Sequence, residues 1–287
     1  MNKIIFCGFG ELGKRCLEEL IKEKFNVKFI YTHKDNLNNS VDGFAIENNI
    51  HYSYIDFRKD LNGNVNLIKS LEVDFLISIN FRYIIPKTIF SIPNYALNIH
   101  GSLLPKYRGR CPHVWSIING EKNAGVTSHI IDKGVDTGDI ISQKKIGISL
   151  EDTGYSLLKK YEEIYPKILM ASIKSLLSGN APKKQNQEEA TYFGRRIPEM
   201  GYIDFYKDSE SIINFVRAQA DPYPGAYYYL CDGKKIVINK VEIVKLLIDV
   251  KNIGIIKKIN NEYYVKCKDA ILKIVKYKIK KEIMNEN

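Results

Sequence analysis

The sequence predicts an α/β chain: a doubly wound parallel sheet over residues 1–180, then a smaller C-terminal β subdomain. Three observations predict it. Short apolar runs alternate with amphipathic stretches through the first part of the chain. A glycine turn, Gly8-Phe9-Gly10-Glu11-Leu12-Gly13, directly follows the first apolar run. Beyond residue 226 the pattern changes to two-residue alternation, the period of a strand with one buried face.

The elements follow in order. Residues 3–7 (KIIFC) are a buried strand, and Leu12, Cys16, Leu17 and Leu20 recur at helical spacing after the glycine turn. Residues 27–32 (VKFIYT) are a second strand, 42–49 a helix, 51–54 a short strand, 67–71 part of a helix, and 73–79 (VDFLISI) a third long strand. Two further strands fit 95–99 and 125–131, and a long helix fits 153–178. The polar stretch 179–189 contains Pro182 and reads as a linker. The domain expectation is a Rossmann-like unit at 1–180, a linker and helix at 181–230 (the helix at 209–219), and a small barrel-forming, OB-like β subdomain at 231–287.

The first glycine motif has the G-x-G-x-x-G form of a dinucleotide fingerprint. That fingerprint needs an Asp or Glu at the end of the second strand to hold a ribose. Here the strand ends in Tyr31-Thr32-His33-Lys34, so the motif reads as a turn that brings helix and strand close together.

Composition narrows the class. No apolar run reaches the length of a membrane span. The start runs straight into a strand with no apolar leader, and five scattered cysteines fit neither a zinc site nor a disulfide framework. The expectation is a cytoplasmic protein without a metal. The net charge is +10 over 287 residues, concentrated at the C-terminal end. Surface lysines on a β subdomain and an anionic partner both fit that excess.

The segment 98–141 carries the chemistry. Asn98 and His100 alternate off a strand end, so both side chains point to one face. In an open α/β sheet, sites form at such strand ends. Asp136 sits in the turn Val135-Asp136-Thr137-Gly138-Asp139. An amide, an imidazole and a carboxylate suit acyl transfer to an amine. The Asn98 N–H stabilises an oxyanion, a role worth about 3 kcal/mol. His100 takes the proton shed by the amine, and Asp136 orients or charge-stabilises His100. Ser102-Leu103-Leu104-Pro105 shapes the wall. His113 and His129 receive no role.

The segment N-I-H-G-S-L-L-P-K-Y-R-G, followed by G-V-D-T-G-D, resembles the signature of the N10-formyltetrahydrofolate-dependent formyltransferases. That family includes methionyl-tRNA, glycinamide ribonucleotide and sugar N-formyltransferases. The resemblance implies that Asn98, His100 and Asp136 are the catalytic trio. It implies a folate co-substrate, with the pterin against Ile79, Asn80, Phe81, Arg82, Tyr83 and Asp132.

Local resemblances point to the acceptor. The segments 32–36, 191–196 and 217–226 are similar to the UDP-4-amino-4-deoxy-L-arabinose formyltransferase domain. Those at 106–110 and 112–115 resemble the dTDP-amino-dideoxy-sugar N-formyltransferases. These imply a nucleotide-linked amino sugar as acceptor, for surface-glycan synthesis, with methionyl-tRNA formylation as the alternative. Lys106, Tyr107 and Arg108 lie in one of these segments. Arg195 and Arg196 offer forked donors to a diphosphate, and Tyr223, between Pro222 and Pro224, offers a ring on which a base could stack. Loop 32–40 holds one Lys and no Arg, so the expected partners are a nucleotide sugar and folate, not nucleic acid. The β subdomain offers a surface for a homodimer.

Overall fold

A computed structural model describes residues 2–34, 40–245 and 250–280. In chain order the elements are β1 (Lys3–Gly8), α1 (Gly10–Lys22), β2 (Asn26–Tyr31), α2 (Val41–Glu47), β3 (Tyr52–Ser53), α3 (Leu61–Leu71), β4 (Phe75–Ile79), α4 (Lys87–Phe90), β5 (Tyr95–His100), β6 (Arg108–Gly109), α5 (Pro112–Ile118), β7 (Asn123–Ile130), β8 (Ile140–Gly147), α6 (Gly154–Leu177), β9 (Tyr192–Phe193), α7 (Ser209–Ala218), β10 (Ala226–Tyr229), β11 (Lys235–Val244), β12 (Lys257–Ile259), β13 (Glu262–Lys266) and β14 (Ile271–Lys280). They form two compact units. The first comprises Met1–Gly109, Ala124–Ile146 and Lys159–Phe193; the second comprises Arg110–Asn123, Gly147–Leu158 and Gly194–Asn287.

The first unit is built on a seven-stranded sheet in the order β3-β2-β1-β4-β5-β7-β8. Ile4, Ile5, Phe6 and Cys7 of β1 and Phe75, Leu76, Ile77 and Ile79 of β4 are fully buried, as expected of strands covered on both faces. The helical spacing of Leu12, Cys16, Leu17 and Leu20 places all four on the buried side of α1. Side chains start the next helices: Ser40 accepts from the Gly43 N–H at α2, and Asp60 from the Gly63 N–H at α3. The glycine turn serves packing. Gly10 has a φ of +65°, and a Cβ on Gly13 would press on the Gly8 backbone and on Val41.

The sheet is mixed, not parallel throughout. β1, β2, β3, β4 and β5 pair in parallel, but β7 runs antiparallel to β5. A strand buried on both faces shows the same apolar run whichever way it points, so direction was not encoded in the pattern. β8, α4 and α5 were also missed, being short or largely polar. The stretch read as a linker belongs to the first unit. Lys183 pairs with Ile140 there, and the Gln185 side chain is buried.

In the second unit, β10, β11, β14, β13 and β12 form a five-stranded antiparallel sheet in that order. Its alternation buries Ile236, Ile238, Val265, Leu272 and Ile274 against Ile212 and Val216 of α7. Asp208 caps α7 through the Ser211 N–H. Among the described residues, no helix is long and apolar enough to cross a membrane.

Candidate active site

The trio comes together within the first unit. β4 and β5 pair Ser78 with Asn98 and Ile79 with Ile99, which sets Asn98 and His100 at the carboxyl edge of the sheet. Asp136 lies in the loop between β7 and β8. Its backbone is left-handed, with φ at +56°, a conformation that a short polar side chain tolerates. Three hydrogen bonds hold the loop there. The Gly109 N–H donates to Asp136 Oδ2 at 2.9 Å, and Gln185 Nε2 donates to the carbonyls of Asp136 and Gly138 at 2.9 and 2.6 Å.

His100 Nδ1 lies 3.5 Å from Asp136 Oδ2. Its Nε2 lies 2.8 Å from the Tyr107 carbonyl oxygen. A carbonyl only accepts, so Nε2 carries the hydrogen, and Nδ1 is the nitrogen that can take up a proton beside the carboxylate. Burial opposes ionisation of Asp136, but His100 and then His129 outweigh it and hold the carboxyl well below the usual range. Asp136 is therefore an anion at neutral pH, poised to stabilise a cation on His100.

His129, which the sequence reading left without a role, joins this group. It stands directly opposite Asn98 in the β5–β7 register. Its Nε2 is 3.1 Å from Asn98 Nδ2 and 3.4 Å from Asp136 Oδ1. One signal could have found it: a histidine inside a run that is otherwise buried strand needs a polar partner.

The residues expected to touch folate divide. Ile79 is fully buried and belongs to the core. Asn80 has a left-handed φ of +56°, and its Nδ2 donates to the Phe9 carbonyl at 3.2 Å. Phe81 and Tyr83 pack around His33 at ring separations of 4.9 and 4.4 Å. The Arg82 N–H donates to His33 Nε2 at 3.0 Å, and its guanidinium sits 3.9 Å above the Phe9 ring. Asp132 Oδ1 accepts from the Gly134 N–H and the Thr137 hydroxyl. These loops leave Ile84 and Val135 exposed by 67% and 57%.

The residues expected to bind the acceptor are distributed differently. Lys106 is exposed, and Tyr107 is buried and stacked on Phe193. Arg108 does not reach solvent. It is fully buried, and its guanidinium donates to Gln185, Gln187 and Tyr192, so it braces the Asp136 loop rather than a ligand. Arg195, Arg196 and Tyr223 belong to the second unit. There Arg195 is exposed. Arg196 donates to the Met200 carbonyl and Gln219, and its guanidinium lies 4.9 Å over the Trp115 ring. The Tyr223 hydroxyl lies 2.9 Å from His113 Nε2. Residues 35 and 36 of the 32–36 segment lie outside the described residues.

An amide, an imidazole and a buried carboxylate at the carboxyl edge of a doubly wound sheet suit acyl transfer. Comparison with known proteins makes this specific: residues 2–173 match the formyl transferase family, and residues 196–287 the formyl transferase C-terminal domain. The chain belongs to the formyl transferase family, whose one-carbon donor is N10-formyltetrahydrofolate. It is 32% identical to the methionyl-tRNA formyltransferase of Caldanaerobacter subterraneus subsp. tengcongensis over 283 residues, covering 95% of this chain and 91% of that protein. It is 36% identical to the methionyl-tRNA formyltransferase of Clostridioides difficile over 257 residues, covering 85% and 81%. A solved sugar 3N-formyl transferase, WlaRD, crystallised in the presence of dTDP and 5-N-formyl-THF, aligns with a TM-score of 0.73 and 25% identity, covering 96% of this chain and 97% of its own.

These relatives overturn the nucleotide-linked amino sugar as the acceptor, and with it the exclusion of nucleic acid. The sugar expectation rested on short segments. The similarity to the tRNA enzymes runs along nearly the whole chain.

Proposed function

We propose that this formyltransferase moves the formyl group of N10-formyltetrahydrofolate to the α-amino group of methionyl-tRNA. One observation carries the reading: 32% identity to a methionyl-tRNA formyltransferase across 95% of this chain. The site fits the chemistry, and the net charge of +10 fits a polyanionic acceptor.

The folate derivative supplies an electrophilic formyl carbon whose oxygen gains negative charge as the amine attacks. Asn98 directs an amide N–H at that oxygen. His100 Nδ1 takes the proton that the amine loses on forming its new C–N bond, and Asp136 balances the imidazolium. The proton passes to the folate nitrogen as its C–N bond to the formyl group breaks. In this reading Phe81, Arg82, Tyr83 and the 132–136 loop form the folate wall.

The test incubates the purified protein with N10-formyltetrahydrofolate and either methionyl-tRNA or a panel of dTDP- and UDP-amino sugars. Formylmethionyl-tRNA is the expected product. Formylation of a sugar with none of methionyl-tRNA overturns the proposal.

A further inference from the structure

We infer that His129 is a positioning residue that fixes the orientation of the Asn98 amide for formyl transfer. Asparagine can direct either its oxygen or its N–H groups at a given point, and only an N–H helps a developing oxyanion. Something must therefore choose between the two orientations, and His129 does.

The selection follows from a chain of obligate donors and acceptors. His129 Nδ1 lies 2.8 Å from the Ile130 carbonyl oxygen. That oxygen can only accept, so Nδ1 carries a hydrogen; Nε2 faces the Asn98 amide at 3.1 Å and, farther off, Asp136 Oδ1 at 3.4 Å, and in the neutral ring it presents a lone pair that the nearer Asn98 group must meet. The Asn98 atom 3.1 Å from Nε2 must then be the amide nitrogen, donating one hydrogen. Its second N–H has no other hydrogen-bond partner among the described residues. Asn98 is only partly buried, whereas the His129 side chain is 4% exposed. Reversing the amide would set its oxygen against the Nε2 lone pair.

The ladder fixes this pairing in space. Asn98 and His129 are direct cross-strand partners, and His100 is paired with Thr127 on the same two strands. Antiparallel neighbours of this kind hold their Cβ atoms about 5 Å apart, close enough for a side-chain bond without backbone movement. His129 needs no contact with either substrate to act in this way.

Two measurements test the inference. Long-range 1H–15N spectra of the free protein report the His129 tautomer without any acceptor. Protonation on Nδ1 is expected, with the Nε2 resonance shifting in Asn98→Ala. An Nε2–H tautomer, or no response to Asn98→Ala, overturns the inference even if methionyl-tRNA proves not to be the acceptor. In kinetics with an acceptor that the wild type formylates, His129→Leu is expected to lower kcat at least about tenfold with little change in KM. His129→Gln, which restores an acceptor oxygen near the Nε2 position, should recover most of that loss. Equal kcat in all three proteins overturns the inference. So does an equal loss in the Leu and Gln variants when both retain the wild-type Tm.

Discussion

Replacing Asp136 with Asn tests the electrostatics of the site most directly. The two side chains have nearly the same shape, and an Asn oxygen can still accept the Gly109 N–H that holds the loop. What disappears is the charge. His100 Nδ1 is 3.5 Å from that charge. At an effective dielectric near 20, two unit charges at this separation attract by about 5 kcal/mol. The attraction exists only once His100 is protonated, so it favours the transition state over the ground state. Its loss is expected to slow kcat by about 10³-fold, since each ~1.4 kcal/mol is a factor of ten, while KM for both substrates changes little. Single-turnover formylation of methionyl-tRNA measures it, with thermal unfolding as a control for the fold. A variant within tenfold of the wild-type kcat would show that the carboxylate does not balance a cation on His100. Linkage gives a second reading. A carboxyl held below its ordinary value contributes stability above the unfolded pKa near ~3.9 and loses it as pH falls further. The urea midpoint of Asp136→Asn should therefore fall less steeply than that of the wild type below about pH 4.

Arg108→Met removes a buried fork and strands the oxygen of Gln185, whose amide holds the Asp136 loop; denaturation should show a loss of about 2–4 kcal/mol, with kcat reduced as well. Gly109→Ala sets a Cβ against the Phe193 carbonyl at a φ of +97°; a cost of about 1–3 kcal/mol is expected and a lower Tm would register it. Burial pushes the His113 imidazole down to about 4, so the unfolded chain binds a proton there first. His113 therefore contributes stability that is present above the ordinary histidine value near 6.5 and falls as pH drops toward about 4. In His113→Phe the urea midpoint should vary less across that window, and an unchanged profile would remove His113 from the account.

That Asn98, His100 and Asp136 would meet was legible because the cues are local. Asn98 and His100 share one strand and one face, and the turn residues around Asp136 mark a loop. For His129 the sequence offered only the hint of a histidine in a buried strand; its place beside Asn98 was not legible, because it lies in a register. Only the pairing of β5 with β7 sets it opposite Asn98, and no local pattern states which strand lies beside which, or in which direction. Arg108 was misread for a related reason. The resemblance of the 106–110 segment suggests that it contacts a ligand, yet its partners Gln185 and Tyr192 lie 77 and 84 residues further along the chain. The helical spacing in α1 and the two-residue alternation beyond 226 translated directly, since each depends only on which face of an element is buried.

The acceptor could not be read from the site for a chemical reason. Formyl transfer asks for an oxyanion donor, a base and a counter-charge, and in the proposed mechanism Asn98, His100 and Asp136, all within one unit, take these parts. An aminoacyl ester and an amino sugar both present a neutral primary amine to that set, so the motif transfers the reaction without the acceptor. Discrimination must come from the rest of the acceptor, and a tRNA differs from a nucleotide sugar chiefly in its row of phosphates. Binding through lysines releases counterions, and affinity then falls as a power of salt concentration. With only two or three such contacts, KM for methionyl-tRNA should rise about tenfold or more between roughly 50 and 200 mM salt. The rate at saturating acceptor should hold nearly constant, because the buried pair of His100 and Asp136 is screened far less than a surface contact. A KM that ignores salt would mean that the +10 charge plays no part in holding the acceptor.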